Sequence, residues 1–162
     1  MAEIINQYAK TYSDPPERER IAGRGIVIEN GRILLSYEKN TGVYMTPGGG
    51  LENGETLAEC CKRELREETG YIVNPLYHFL VINEYCFDTV YVSNYFVCEC
   101  IGKKQQSLTE VEIEHGITPV WLEIEKALEI FGGYASERED IASLYLRELT
   151  VINKFLECGD LK

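Results

Sequence analysis

Residues 47–71 read PGGGLENGETLAECCKRELREETGY. The stretch crowds Glu64, Glu67 and Glu68 into little more than one helical turn, although neighbouring carboxylates repel. Residues 55–69 are expected to be helical. Thr56 and Glu59 have the spacing of a capping box, and Gly70 sits where a helix C-terminus favours glycine. On a wheel of about 100° per residue, Leu57, Ala58, Cys61 and Leu65 form one apolar stripe. Glu64 and Glu68 fall beside that stripe rather than opposite it, and as an i,i+4 pair they disfavour the helix by about 0.2–0.5 kcal/mol. Carboxylates taken out of water without a partner tend to protonate. Two readings are open. Either Lys62, Arg63 and Arg66 balance a solvated helix face, or a hard divalent cation belongs among the carboxylates, with the carbonyls of Gly48, Gly49 and Gly50 as further donors.

Upstream of the helix, residues 20–39 read as two strands around a turn at Glu29-Asn30-Gly31, where Asn-Gly is a hairpin signal. Residues 1–19 hold an N-terminal strand and a turn-rich connector, and residues 43–46 a short strand ending at Pro47. Downstream, residues 72–85 and 89–101 are rich in Val, Ile, Tyr and Phe and are expected to be strands. Residues 102–115 are polar and read as a loop, 118–122 as a strand and 123–131 as a short helix. A long amphipathic helix is expected over 136–157 with Ser136 as its N-cap. This order lacks regular strand–helix alternation. It fits an α+β fold, a mixed sheet with helices on its faces.

The whole chain, residues 1–162, is read as a single domain, a length that one core usually serves. A net charge of −11 argues against non-specific nucleic-acid binding, which depends on Lys and Arg neutralising phosphates. No apolar run approaches the roughly 18 residues of a membrane span, and the N-terminus lacks the pattern of a secretory signal. The expectation is a cytoplasmic protein with neither a nucleic-acid nor a membrane partner. Cys60, Cys61, Cys86, Cys98, Cys100 and Cys158 contain no C-x-x-C pair and are read as reduced thiols.

The segment resembles the Nudix box of the Nudix hydrolases, G-x5-E-x7-R-E-U-x-E-E-x-G-U with U aliphatic. Gly49, Glu55, Arg63, Glu64, Leu65, Glu67, Glu68 and Gly70 all match, and only Tyr71 departs, at the last aliphatic position. Seven fixed letters in register arise by chance roughly once in 10⁸ start positions. The resemblance implies the family's α/β/α sandwich and hydrolysis of a phosphoanhydride bond. The substrate would be a small nucleoside diphosphate-linked or nucleoside triphosphate compound, and the cofactor Mg2+ or Mn2+. It makes Glu64, Glu67, Glu68 and the Gly49 carbonyl metal ligands, with Arg63 orienting the carboxylates and Glu55 holding Arg63. In parts of the family a glutamate on a later loop serves as general base. Glu110, Glu112 and Glu114 offer that here, and Glu112 is favoured because Val111 and Ile113 could anchor it; Glu67 is the competing base. Arg24 and Lys39 are read as phosphate contacts, and Tyr44, with Tyr37, Tyr85, Phe87 and Trp121, as an aromatic that could stack on a base. A monomer or a homodimer is expected. A catalytically silent nucleotide sensor is the alternative, although such a domain would be expected to lose some box carboxylates.

Overall fold

Asn30 and Gly31 both take left-handed backbone, with φ of 52° and 74°, so the chain reverses there in a two-residue turn. The turn joins β2 (Arg18–Glu29) to β3 (Arg32–Glu38), as the Asn-Gly signal predicts. The computed structural model describes residues 1–159; the last three positions of the 1–162 span lie outside them. The remaining strands are β1 (Glu3–Tyr8), β4 (Val43–Met45), β5 (Gly48–Gly50), β6 (Tyr71–Cys86), β7 (Thr89–Lys103) and β8 (Ile117–Glu123). They form one mixed sheet in the order β1-β6-β7-β2-β3-β4, with β5 paired to β2 and β8 to β3. The β1–β6 and β2–β7 pairs are parallel, and the other pairs are antiparallel.

Side chains alternate across the sheet and divide the core in two. Val27, Leu34, Val73, Phe96 and Cys98 face α1 (Leu57–Thr69), which presents Cys61 and Leu65. Ile26, Ile33, Leu35, Leu80, Ile82 and Tyr95 face the other way. There α3 (Ile124–Gly132) contributes Ala127 and Phe131, and α4 (Glu139–Glu157) contributes Tyr145, Val151, Ile152 and Phe155. The result is the α+β sandwich expected, helix on both faces of a mixed sheet. Close seating of α1 depends on glycine in β2. A Cβ on Gly23 would lie 2.9 Å from both the Cys61 nitrogen and the Leu57 carbonyl oxygen.

The structure corrects two expectations. Residues 102–115 are not a plain loop: β7 runs on to Lys103, and Glu110–His115 form the short helix α2. Thr109 and Glu112 make a capping box there and Gly116 closes the helix in left-handed backbone, so the signals that start and stop α1 recur. Ser136 is not an N-cap. It ends a 3-10 turn, Tyr134–Ser136, and α4 begins after Arg138 without a side-chain cap. Glu139 and Asp140 in its first turn instead face the positive end of the helix dipole. All six cysteines are free thiols. Among the described residues no helix is long and apolar enough to cross a membrane.

Candidate active site

Both ends of α1 are fixed by its own sequence. The Thr56 hydroxyl accepts from the Glu59 N–H (3.2 Å), and the Glu59 carboxylate accepts from the Thr56 N–H (2.7 Å). Gly70, at φ 78°, donates its N–H to the Arg66 carbonyl. With Cys61 and Leu65 locked into the core, the rotation of the helix is set. Glu64, Glu67 and Glu68 are carried along one edge, toward the β5 glycines. Glu68 is 4% exposed and Thr69 beside it is buried.

Arg63 is the hub of the cluster. Its Nε donates to Glu55 Oε1 (2.6 Å), and its Nη2 to Glu55 Oε2 (3.1 Å) and the Gly50 carbonyl (2.9 Å). Its Nη1 donates to Glu64 Oε1 (2.7 Å) and Glu67 Oε2 (3.2 Å). The two-pronged bond from Arg63 holds the Glu55 carboxyl down at about 2. Among the described residues no cationic side chain reaches Glu68 at bonding distance, although Arg24 lies near enough to favour its charged form. It accepts the Gly48 N–H (3.1 Å), and burial pushes its carboxyl up to about 7. Burial also raises Glu64, against the pull of Arg63.

These residues fit a hard divalent cation by their chemistry. Three carboxylates stand together on one helix edge, Glu68 buried and bonded to the Gly48 N–H and Glu64 against the Gly49 backbone. A Cβ on Gly49 would fall 2.5 Å from the Glu64 carboxylate, so any side chain there would displace that carboxylate. Among the described residues the acidic side chains do not already converge as a closed cage. Arg63 draws Glu64 and Glu67 one way while Glu68 turns to Gly48. The Gly49 carbonyl accepts a weak bond from the Cys60 thiol (3.4 Å).

A cleft of about 650 Å3 opens beside this wall, on the α4 face of the sheet. Its floor is written by register. Arg20, Tyr91 and Glu84 stand in one row across β2, β7 and β6, and Ala22, Ser93 and Ile82 in the next. Gly48, Gly49, Gly50 and Glu64 form one side, Ser143, Leu144 and Arg147 of α4 another, and Thr109 with Val111 and Glu112 of α2 a third. Arg24 lines the cleft, its Nε donating to Ser93 Oγ (3.3 Å) and its Nη1 to the Thr46 carbonyl (3.1 Å).

Of the sequence-selected residues, the fold brings Arg24, Gly49, Arg63, Glu64, Glu67, Glu68, Phe87 and Glu112 to this region. Lys39 and Tyr44 are elsewhere. Lys39 is exposed in the turn after β3, where its N–H meets the Gly116 carbonyl. Tyr44 stacks on Tyr37 with ring centroids 4.5 Å apart, and its N–H donates to the Tyr145 hydroxyl. The reason given for Glu112 also fails, because Val111 and Ile113 are exposed and anchor nothing. What positions Glu112 is its own cap, with Oε2 accepting the Thr109 N–H at 2.7 Å. Trp121 donates to the Tyr71 hydroxyl (2.9 Å) and Tyr85 stacks on Tyr8, so both are structural. Arg20, Glu84, Tyr91, Ser93, Ser143 and Arg147 were not selected from the sequence. Nothing local marks them; the pairing of distant strands and the packing of α4 on the sheet do.

A family model, the NUDIX domain, matches residues 19–144. The ADP-ribose pyrophosphatase of Methanocaldococcus jannaschii is 35% identical over 83 residues, which cover 42% of this chain and 49% of that protein. The chain thus spans about half or less of the length of the curated relatives it matches. A NUDIX hydrolase from Nitrosomonas europaea superposes with a TM-score of 0.62 at 22% identity, covering 82% of this chain and 89% of that one. An ADP-ribose pyrophosphatase from Streptococcus suis superposes with a TM-score of 0.58 at 16% identity, covering 88% and 93%. At those identities the superpositions carry the fold. The family model covers most of the sequence and includes the whole glutamate-rich helix, and on that ground the chain belongs to the Nudix hydrolase family.

Proposed function

We propose that the protein hydrolyses a phosphoanhydride bond in a small nucleotide derivative, a nucleoside diphosphate-linked or nucleoside triphosphate compound, with Mg2+ or Mn2+ as cofactor. The observation that carries this is the trio Glu64, Glu67 and Glu68 on one edge of α1, with Glu68 buried against the Gly48 N–H and Glu64 against the Gly49 backbone where it lines an open cleft. Glu64, Glu67, Glu68 and the Gly49 carbonyl would hold the cation. When bound there, a divalent ion lowers the pKa of its water and neutralises charge on phosphoryl oxygens.

The protein's own groups do the rest. Arg63, pinned by Glu55 and Gly50, orients Glu64 and Glu67 by donating to both. Arg24 and Arg20 supply positive charge along the cleft for the phosphates. Glu112 faces the same space from α2 and would take a proton from the attacking water, a role that needs it to leave its bond to the Thr109 N–H. Glu67 is the competing base.

A turnover assay across a nucleotide panel tests the reading. ADP-ribose heads that panel, because the Methanocaldococcus relative is named for it, followed by oxidised triphosphates, nucleotide sugars and dinucleoside polyphosphates. At least one class should be cleaved, with activity lost to chelator and restored by Mg2+ or Mn2+. Nucleotide binding without cleavage of any member would replace hydrolysis with a sensing role.

A further inference from the structure

Past the box wall, the cleft continues to an end that the roles above leave without an occupant. Its floor there carries two small side chains, Ala22 and Ser93, paired across β2 and β7. They leave a hollow beside the row that holds Arg20 and Tyr91. Phe87 and Tyr91 line the same end and remain 59% and 38% exposed.

Phe87 stands out by its backbone. It occupies the two-residue turn between the paired Cys86 and Thr89, and its φ is 52°. Left-handed backbone at such a turn suits Asn or Gly, and a bulky side chain there is strained. Among the described residues the other non-glycine with positive φ is Asn30, the residue type that a turn favours. The Phe87 conformation is clamped from outside the hairpin. Its carbonyl accepts the Ser13 N–H at 2.7 Å, and the Asp88 carbonyl accepts the Glu17 N–H at 2.7 Å. Packing does not repay the strain, since most of the side chain stays in water. An aromatic residue held in an unfavourable turn and left exposed at a cleft wall is explained by a ligand that covers it.

We propose that Phe87 and Tyr91 stack on the nucleobase of the substrate at the Ala22–Ser93 hollow, with its phosphates running past Arg20 and Arg24 toward Gly48–Gly50. Arg20 lies against Gly50, within 4 Å of the position a Cβ there would take, so one groove leads from the hollow to the box. The assignment rests on the nucleotide reading given above and adds the place of the base. Stacking accepts any base, because every base has a π face. The contact therefore sets affinity for a nucleoside over a plain sugar phosphate.

Calorimetric titration of AMP, GMP, CMP, UMP and ribose 5-phosphate into wild type, Phe87→Asn and Phe87→Tyr tests this. Phe87→Asn should weaken all four nucleotides by about 5–150-fold, the range that loss of one stacked aromatic gives, and leave ribose 5-phosphate unchanged. Phe87→Tyr, which keeps a ring, should retain wild-type affinity. Phe87→Asn should melt no lower than wild type, because Asn tolerates the turn backbone. Equal nucleotide affinity in Phe87→Asn and wild type overturns the proposal, as does a parallel loss for ribose 5-phosphate or no nucleotide binding by wild type. If wild type cleaves nothing in the panel yet binds nucleotides in a Phe87-dependent way, the base site stands and the hydrolase reading falls. Cleavage that is indifferent to Phe87 gives the reverse.

Discussion

Glu68 and Glu55 lie at opposite ends of the same charge cluster and respond oppositely to pH. Burial raises the Glu68 carboxyl to about 7, whereas the Arg63 bond lowers that of Glu55 to about 2. A raised folded pKa means the folded state holds a proton that the unfolded state has released. Stability of chelated protein should therefore fall as pH rises from about 4.5 to 7, by at most roughly 3 kcal/mol from Glu68. A depressed pKa works the other way, so the Glu55 contribution is present above about 4.5 and is lost as pH falls toward 2. Thermal melts of chelated protein from pH 3 to 8 should peak near pH 5, and Glu68→Gln should flatten the limb above the peak. A melting temperature that climbs from pH 5 to 8 would contradict this account of Glu68. At this scale the sequence was legible wherever a residue's job is local. Thr56, Glu59 and Gly70 do what their spacing predicts, and Glu68 lies beside the apolar stripe as the wheel places it. Lys39 and Tyr44 misled because residue type alone does not say which strand neighbours a side chain will have.

At the scale of elements, α1 must sit close to β2 for its glutamates to meet the β5 glycines. Gly23 enforces that distance, since a Cβ would press on backbone atoms of Leu57 and Cys61 that cannot rotate away. Gly23→Ala should destabilise by about 1–3 kcal/mol in urea titrations and also weaken Mn2+ binding, because the whole helix has to shift. Unchanged Mn2+ affinity in a destabilised variant would show that the box tolerates such a shift. The short helix α2 is the element least legible in the sequence, although Thr109, Glu112 and Gly116 repeat the capping signals of α1. Its six residues show too little apolar periodicity to register as a helix, and Val111 and Ile113 remain exposed. The capping geometry makes Glu112→Gln a clean test of the base, because Gln also serves in a capping box. That variant should lose about 10²-fold or more in kcat with little change in KM or metal affinity. A kcat within about threefold of wild type, with Glu67→Gln inactive, would transfer the role to Glu67.

Across the whole molecule, the inner wall of the cleft is held by charges that come together from distant parts of the chain. Arg147 of α4 donates to Glu84 of β6 (3.2 Å) and to its neighbour Glu148 (2.6 Å), with all three side chains buried. The Ser143 hydroxyl donates to the other Glu84 oxygen, and the Thr46 hydroxyl to Glu148. The group ties α4 to the sheet at the end of the cleft where α4 forms a wall. No sequence pattern announces it, because its members meet only once the parallel and antiparallel pairings have set the sheet. Among the described residues Arg147 is its one cation, and without it two buried carboxylates lose that counter-charge. Arg147→Met keeps much of the side-chain volume and should cost about 3–5 kcal/mol in urea unfolding at neutral pH. Adding Glu84→Gln and Glu148→Gln to Arg147→Met should recover part of the loss, since neutral amides no longer require a cation. If Arg147→Met unfolds within about 1 kcal/mol of wild type, those carboxylates are compensated some other way and α4 is held by its apolar face alone.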